Sequence, residues 1–457
     1  MRRRLLKGSA LTAAACVTSL LATLAPSASA APAVPAAKPT AQQAGQQAGH
    51  GDTPSLRRVG YFTQWGVYGR DYQIQDLDTS GTAARLTHLN YAFGNVDKSG
   101  KCFLTPLPGE SDPWADYQRP LDAANSVDGV ADTDTQALAG NFNQIKELKA
   151  KHKGLKALIS LGGWSWSTNF SDAALTAASR KALVTSCIDL YLKGNLPKDG
   201  VRGGEGAAEG VFDGIDIDWE WPGSEGDVDT VHRPEDKQNF TALVKEFRTQ
   251  LDALGKQKRK HYELSAFVPT ADAKIDAGFE VAKIMRDFDF VNLQGYDFHV
   301  SGEKKTAQQS ALFARGDFSV HGTVESWLKR GAPARKLVVG MPFYGQGWTG
   351  VTGGGNGLGK PAAGPAPAKW AAGYADYKEL KPLVQSGKFK VHRDLLAGHA
   401  WIFDGTTLWT YDDPLVLTTK AAYVRARGLG GAMVWSLDAD TADGELYRAL
   451  DRGLGRR

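Results

Sequence analysis

The sequence predicts an α/β chain folded as a (β/α)8 barrel, with a small α+β insertion between the seventh strand and the last. Three observations predict it. Eight short apolar runs recur along the chain, stretches with apolar positions at helical spacing separate many of them, and one long interval is too rich in glycine and aromatics for a simple connection. An open doubly wound sheet is the alternative that the same alternation allows.

In chain order, the strand candidates are RRVGYFTQW, LTHLNYAFGNV, LKALISLGGW, GVFDGIDIDWEW, YELSAFVP, FDFVNLQGYDF, KLVVGMPFYG and GGAMVWSLD. Between them, DTQALAGNFNQIKELKAKH, AALTAASRKALVTSCIDLYLKG and RPEDKQNFTALVKEFRTQLDALG repeat apolar residues at helical spacing. DDPLVLTTKAAYVRARG supplies the last helix before the final strand. The interval 346–411 contains short β-like pieces, KFKVHRD and HAWIFDGTTLWTYDD, and reads as a subdomain on the carboxyl-terminal face, where barrel loops grow and ligands bind.

Ahead of the barrel, expected over 57–457, lie two segments of other character. Residues 1–30 combine a basic start, an apolar stretch and a small-residue ending at Ala28-Ser29-Ala30, the pattern of a secretory signal cleaved after Ala30. The RRRLLK run also resembles a twin-arginine export signal. Residues 31–56 are Ala, Pro, Gln and Gly with no aromatic residue, a linker that cannot offset its ordering entropy. The mature protein is therefore expected outside the cell, free of the membrane.

Composition narrows the function. The 54 Lys+Arg against 50 Asp+Glu give +4, and Arg2, Arg3, Arg4 and Lys7 all fall in the leader, so no basic footprint points to nucleic acid. Of three cysteines, Cys102 and Cys187 remain after cleavage, an even pair in an oxidising compartment that can bond if the fold brings them together. Thiol or zinc catalysis is not expected, and neither is any metal or organic cofactor.

The informative stretch is GVFDGIDIDWEWPG. In a strand alternate side chains share a face, so Asp216, Asp218 and Glu220 point one way while Ile215, Ile217 and Trp219 point the other. Successive acids then lie about 7 Å apart, close enough to repel in a partly dry site and to raise the proton affinity of at least one. Glu220, at the carboxyl-terminal end, is the candidate general acid. A solvated acidic edge or a cation site are the duller readings, and the intervening Ile and Trp weigh against solvation. Asp213 has the wrong parity to join the others and is expected to serve the start of the strand.

At these residues the chain resembles the family 18 glycoside hydrolases, the chitinases. Asp213-x-x-Asp216-x-Asp218-x-Glu220 followed by Trp221-Pro222 is similar to that family's signature strand. GYFTQWGVYGRDY and NYAFGNV resemble its first two strands, SLGGW its Ser-x-Gly-Gly motif, LQGYDF its sixth strand and MVWSLD its last. The insertion is similar to the module of the bacterial subfamily with deep clefts. The resemblance implies retention assisted by the substrate: Glu220 protonates the glycosidic oxygen, the substrate's N-acetyl oxygen attacks, Asp218 holds the acetamido N–H while Asp216 shares its proton, and Tyr296 positions the acetamido oxygen. Trp435, Gln294 and Asp297 would bind the sugar before the cut, with Trp164, Tyr61, Tyr344 and Trp221 completing the sugar-binding set. Ser160 would satisfy a buried carboxylate in the neighbouring strand, and Gly162 and Gly163 would permit close backbone approach.

Of 12 tryptophans, Trp65, Trp114, Trp164, Trp166, Trp221, Trp348 and Trp401 fall on expected upper loops, where flat faces suit a polysaccharide. Asp438, Asp440 and Asp443 hint at a calcium loop without its full spacing, so a solvated turn is preferred. Two positions depart from the family: Gln346 follows Tyr344-Gly345 where Arg is common, and Gly295 stands where a bulkier residue is usual. The resulting expectation is a monomeric secreted chitinase acting on β-1,4-linked N-acetylglucosamine chains. A non-catalytic chitin lectin and an endoglycosidase of N-glycans or peptidoglycan are the alternatives.

Overall fold

The apolar runs are hydrophobic on both faces, and a strand of that kind must be covered on both sides. The computed structural model describes residues 55–455, so the leader and all but the end of the linker lie outside the described residues. Within 56–455, the runs become eight parallel strands: β1 (Arg57–Thr63), β2 (His88–Val96), β3 (Lys156–Gly162), β4 (Gly214–Asp218), β5 (Glu263–Val268), β6 (Phe290–Leu293), β7 (Leu337–Pro342) and β8 (Gly431–Trp435). Each pairs with its successor, and β8 pairs back onto β1, which closes the barrel.

Two layers of core follow. Val59, Leu158, Phe290, Val338 and Met433 fill the interior, while Ile215, Ile217 and Leu264 face outward. The outward layer is covered by helices such as Asp236–Lys258, whose Phe240, Leu243, Val244, Phe247 and Leu251 recur at helical spacing and are buried. The stretch expected as one helix over 173–194 is broken. Thr176 caps a new start at Ala177–Cys187, accepting from the Ser179 N–H, and the chain then widens into a π turn, Ile188–Leu192. Cys187 at that junction is bonded to Cys102, tying this helix to the short strand Cys102–Phe103 that pairs with the end of β2.

Between β7 and the helix before β8, Pro414–Ala426, residues 344–411 form a second, antiparallel sheet with the helix Tyr377–Gln385. It begins two residues before the expected Gln346, because Tyr344 and Gly345 already pair with Asp376 and Ala375. Among the described residues, no helix is long and apolar enough to cross a membrane.

Candidate active site

The parity argument holds at β4. Ile215 and Ile217 pack outward, and Trp219 stacks on Phe170 at 5.6 Å, whereas Asp216 and Asp218 point into the barrel. Asp213, at the strand's entry, accepts the Ala157 N–H at 2.9 Å and pairs with Lys149 and Lys260 at 2.6 and 2.5 Å. That is a structural clamp at the far end from the mouth.

Asp216 is fully buried and is the hub. Register sets it between Ser160 on β3 and Ser265 on β5. Both hydroxyls donate to it, at 2.8 and 2.5 Å, and Tyr61 on β1 donates at 2.7 Å. Burial raises the proton affinity of its carboxyl, while these hydroxyls and the Asn90 amide favour the charged form.

Asp218 lacks such donors. Its Oδ1 is buried without a hydrogen-bond partner. Burial, then the charges of Glu220 and Asp216, push its carboxyl well above the usual range. Glu220 lies two residues past the end of β4, part-exposed at the mouth, and burial pushes it up to about 8, against the opposing charge of Lys274. The two carboxyls hydrogen-bond each other, so they hold one proton between them and titrate as a pair. The Glu220 N–H donates to Ser167 Oγ at 2.8 Å, and that hydroxyl donates to the Gly163 and Asp218 carbonyls at 2.8 and 3.1 Å. Added Cβ atoms at Gly162 and Gly163 would meet the Asp218 carbonyl at 2.4 Å and the Phe93 ring at 2.6 Å, so both positions require glycine.

Around the acids stands a wall from the other strands. The Tyr296 hydroxyl, raised by burial and by the charges of Asp218, Asp297 and Glu220, stays a donor. Asp297, at φ 55°, accepts from Gln346 Nε2 at 2.9 Å. Tyr344 is buried, stacked on Tyr374 at 4.4 Å and hydrogen-bonded to Asp297. Trp435 is part-exposed at the end of β8, against Tyr61 at 5.4 Å and Phe93 at 5.7 Å. Gln294 and Trp164 are part-exposed on the loops after β6 and β3.

Residues 57–440 match the profile of the glycosyl hydrolases family 18. The chain belongs to that family. It is 38% identical over 420 residues to chitinase C of Streptomyces lividans, covering 89% of this chain and 61% of that protein, and 34% identical to chitinase A1 of Niallia circulans, covering 84% and 57%. It thus spans about three fifths of the length of these curated relatives. The solved catalytic domain of a psychrophilic chitinase B from Arthrobacter TAD20 superposes with a TM-score of 0.84 at 44% identity, covering 88% of this chain and 95% of that one.

Several side chains of this family 18 site differ from the sequence reading. Trp221 is not an open platform: it is 2% exposed, against Phe267 at 5.6 Å and under Lys274 Nζ at 5.2 Å. Trp348 and Trp401 fill the core of the insertion sheet with Val351, Phe403 and Leu408. Tyr61 sits beneath the trough as a donor to Asp216, with no open sugar face. The expected solvated turn is solvated only at Asp443, an exposed partner of Arg448: Asp438 is buried against Arg70, and Asp440 accepts the Leu446 and Tyr447 N–H groups at the start of the final helix. Asn90, Ser265, Asn292, Lys274 and Ser167 were missed. The inward parity of β5 and β6 could have nominated Ser265 and Asn292, while nothing local marks Ser167 or Lys274.

Proposed function

We propose that this barrel hydrolyses β-1,4 links in chains of N-acetylglucosamine, with retention of configuration. Glu220 gives its proton to the glycosidic oxygen as the C1–O bond breaks. The substrate's acetamido oxygen closes onto C1, and the positive charge of the resulting oxazolinium lies beside Asp218, whose unpartnered Oδ1 takes the acetamido N–H. The Tyr296 hydroxyl donates to the acetamido oxygen and aims it. Water then attacks C1, Glu220 takes its proton, and the C1–acetamido bond opens to leave a free reducing end. Most retaining glycosidases spend a second carboxylate as nucleophile, and this family is an exception.

The observation that carries the reading is the carboxyl pair at the mouth: one acid whose proton affinity is raised to near neutrality beside a buried carboxyl oxygen without a protein partner. The chitinases this chain resembles supply the polymer. Export on a leader ending at Ala30 and action as a monomer belong to the same proposal.

The test is release of soluble oligosaccharides from colloidal chitin by the wild type and Glu220→Gln, with binding measured in parallel. Cleavage by the wild type, and binding without cleavage by the variant, is expected. Binding by both with cleavage by neither makes the protein a lectin. No binding by either moves the substrate to other acetamido-sugar polymers.

A further inference from the structure

Beside the catalytic mouth lies a groove of about 380 Å³ that the chemistry above does not use, and three tryptophans line it. Trp65 and Trp114 are 42% and 50% exposed, and Trp166 is part-exposed. Three wet indole faces along one groove mark a ligand surface more than a core. Trp65 lies 6.5 Å from Trp435, so the groove continues the wall of the trough. Its occupant is then the continuation of the sugar chain held over Trp435.

The three rings sit on three different loops, after β1, β2 and β3. Their spacing must therefore be set by bonds between loops. Three lie close to the rings: Tyr68 OH donates to Asp112 at 2.7 Å, Trp166 Nε1 to the Gly109 carbonyl at 2.9 Å, and Gln64 Nε2 to Asp116 Oδ1 at 2.6 Å, while Arg119 Nη2 donates to Gln73 Oε1 at 2.6 Å farther along the same two loops. The first two are solvent-exposed and weak. The third is buried: Gln64 adjoins Trp65, and Asp116, 1% exposed, shares one short turn with Trp114. The same Asp116 oxygen also accepts from Tyr91 OH on β2 at 2.6 Å, and that hydroxyl accepts from Asn141 at 2.9 Å, so the turn is fastened to the barrel itself.

We infer that Asp116 is a positioning residue for chain binding: its buried carboxyl locks the Trp65 and Trp114 loops together, so the groove meets a long N-acetylglucosamine chain already formed. This rests on the proposed function. Burial pushes the Asp116 carboxyl up to about 8, which makes an amide a close stand-in for its neutral form.

The experiment compares wild type, Asp116→Ala, Asp116→Asn and Gln64→Met as full chains on the N-acetylglucosamine hexamer and on a chromogenic dimer. Loss of the two bonds in Asp116→Ala should raise KM for the hexamer about 5- to 30-fold, with kcat retained and the dimer kinetics within about twofold. Asp116→Asn, whose amide oxygen still accepts, should recover most of the hexamer affinity. Gln64→Met breaks the same tie without emptying a buried site, so it reads the effect even if Asp116→Ala does not fold. Equal losses on hexamer and dimer, or none, overturn the inference. Failure of the wild type on both substrates sinks the proposed function and this inference with it, whereas a wild type that cleaves the hexamer no better than the variants sinks the inference alone.

Discussion

Tyr61→Phe removes one oxygen from the floor of the site and keeps the ring that lies 5.4 Å from Trp435. What is lost is the 2.7 Å bond to Asp216 Oδ2, leaving that oxygen its Ser160 bond, and Oδ1 its bond from Ser265 and a longer one from Asn292 at 3.5 Å. A hydrogen bond to a charged group contributes about 1.5–3 kcal/mol, so its loss should make the Asp216 carboxyl take a proton more readily still. An Asp216 that takes a proton more readily puts less charge beside Asp218. The proton shared by Asp218 and Glu220 is then held less tightly, and the alkaline limb of kcat/KM moves to lower pH. Rate suffers as well. When Glu220 gives up its proton the acid cluster gains one negative charge, so a donor to Asp216 matters more in the transition state than before it. The full worth of the bond sets a loss in kcat of about 10- to 150-fold, with KM nearly unchanged. The assay is the pH profile of kcat and KM on a soluble oligosaccharide, with thermal unfolding as a control for folding. A kcat within twofold of wild type and an unmoved alkaline limb would refute the idea that the Asp216 charge sets the acid pair.

Two further outcomes test the support beneath the site. Ser167→Ala leaves the Glu220 N–H without its partner, and kcat should fall about 5- to 100-fold at unchanged KM; a raised KM with kcat intact would mean the hydroxyl shapes binding instead. At the closed end of the barrel, burial works to raise Glu263, but His88 at 2.7 Å and Lys156 outweigh it and hold the carboxyl down at about 2. A depressed folded value gives stability that is present above the unfolded value and lost as pH falls toward 2. Urea unfolding should therefore lose about 3 kcal/mol between pH 5 and 2 in the wild type, and Glu263→Gln should flatten that slope; an unchanged slope assigns the acid lability to other carboxyls.

Strand number, strand parity and the acid run were legible because each is written in local periodicity. Ile215 and Ile217 against Asp216 and Asp218 already separate the helix-facing side from the interior. The same logic failed for the tryptophans, since a Trp on a loop is platform or core according to what the loop packs against, and the burial of Trp348 and Trp401 depends on strands that only the folded insertion brings together. Ser167 is a similar case. It is seven residues past Ser160, the start of the motif on β4's neighbour, and 53 residues from Glu220 in sequence, so its value lies wholly in where the β3 loop returns. Gln346 shows the opposite. It was singled out as a departure from the family's Arg, and in place it still reaches Asp297, as a neutral donor at 2.9 Å.

The order of the three acids along β4 explains why none can exchange roles. Asp216, with no exposure, has three hydroxyl donors and can carry charge in the dry interior because those donors replace water. Asp218, 4% exposed, has no such donors and sits beside that charge, so it leans on the proton it shares with Glu220 until a better donor arrives at its open oxygen. Glu220 reaches the mouth, where, in the proposed reaction, a sugar takes its proton and water later returns one. A donor added beside Asp218 would trap its charge and free the pair's proton too early. A donor removed from Asp216 would let the proton sink inward, away from the glycosidic oxygen. The gradient of donors, from crowded at the floor to absent at the mouth, therefore directs the proton outward, and it is set by residues on β1, β3 and β5 more than by the acid strand itself.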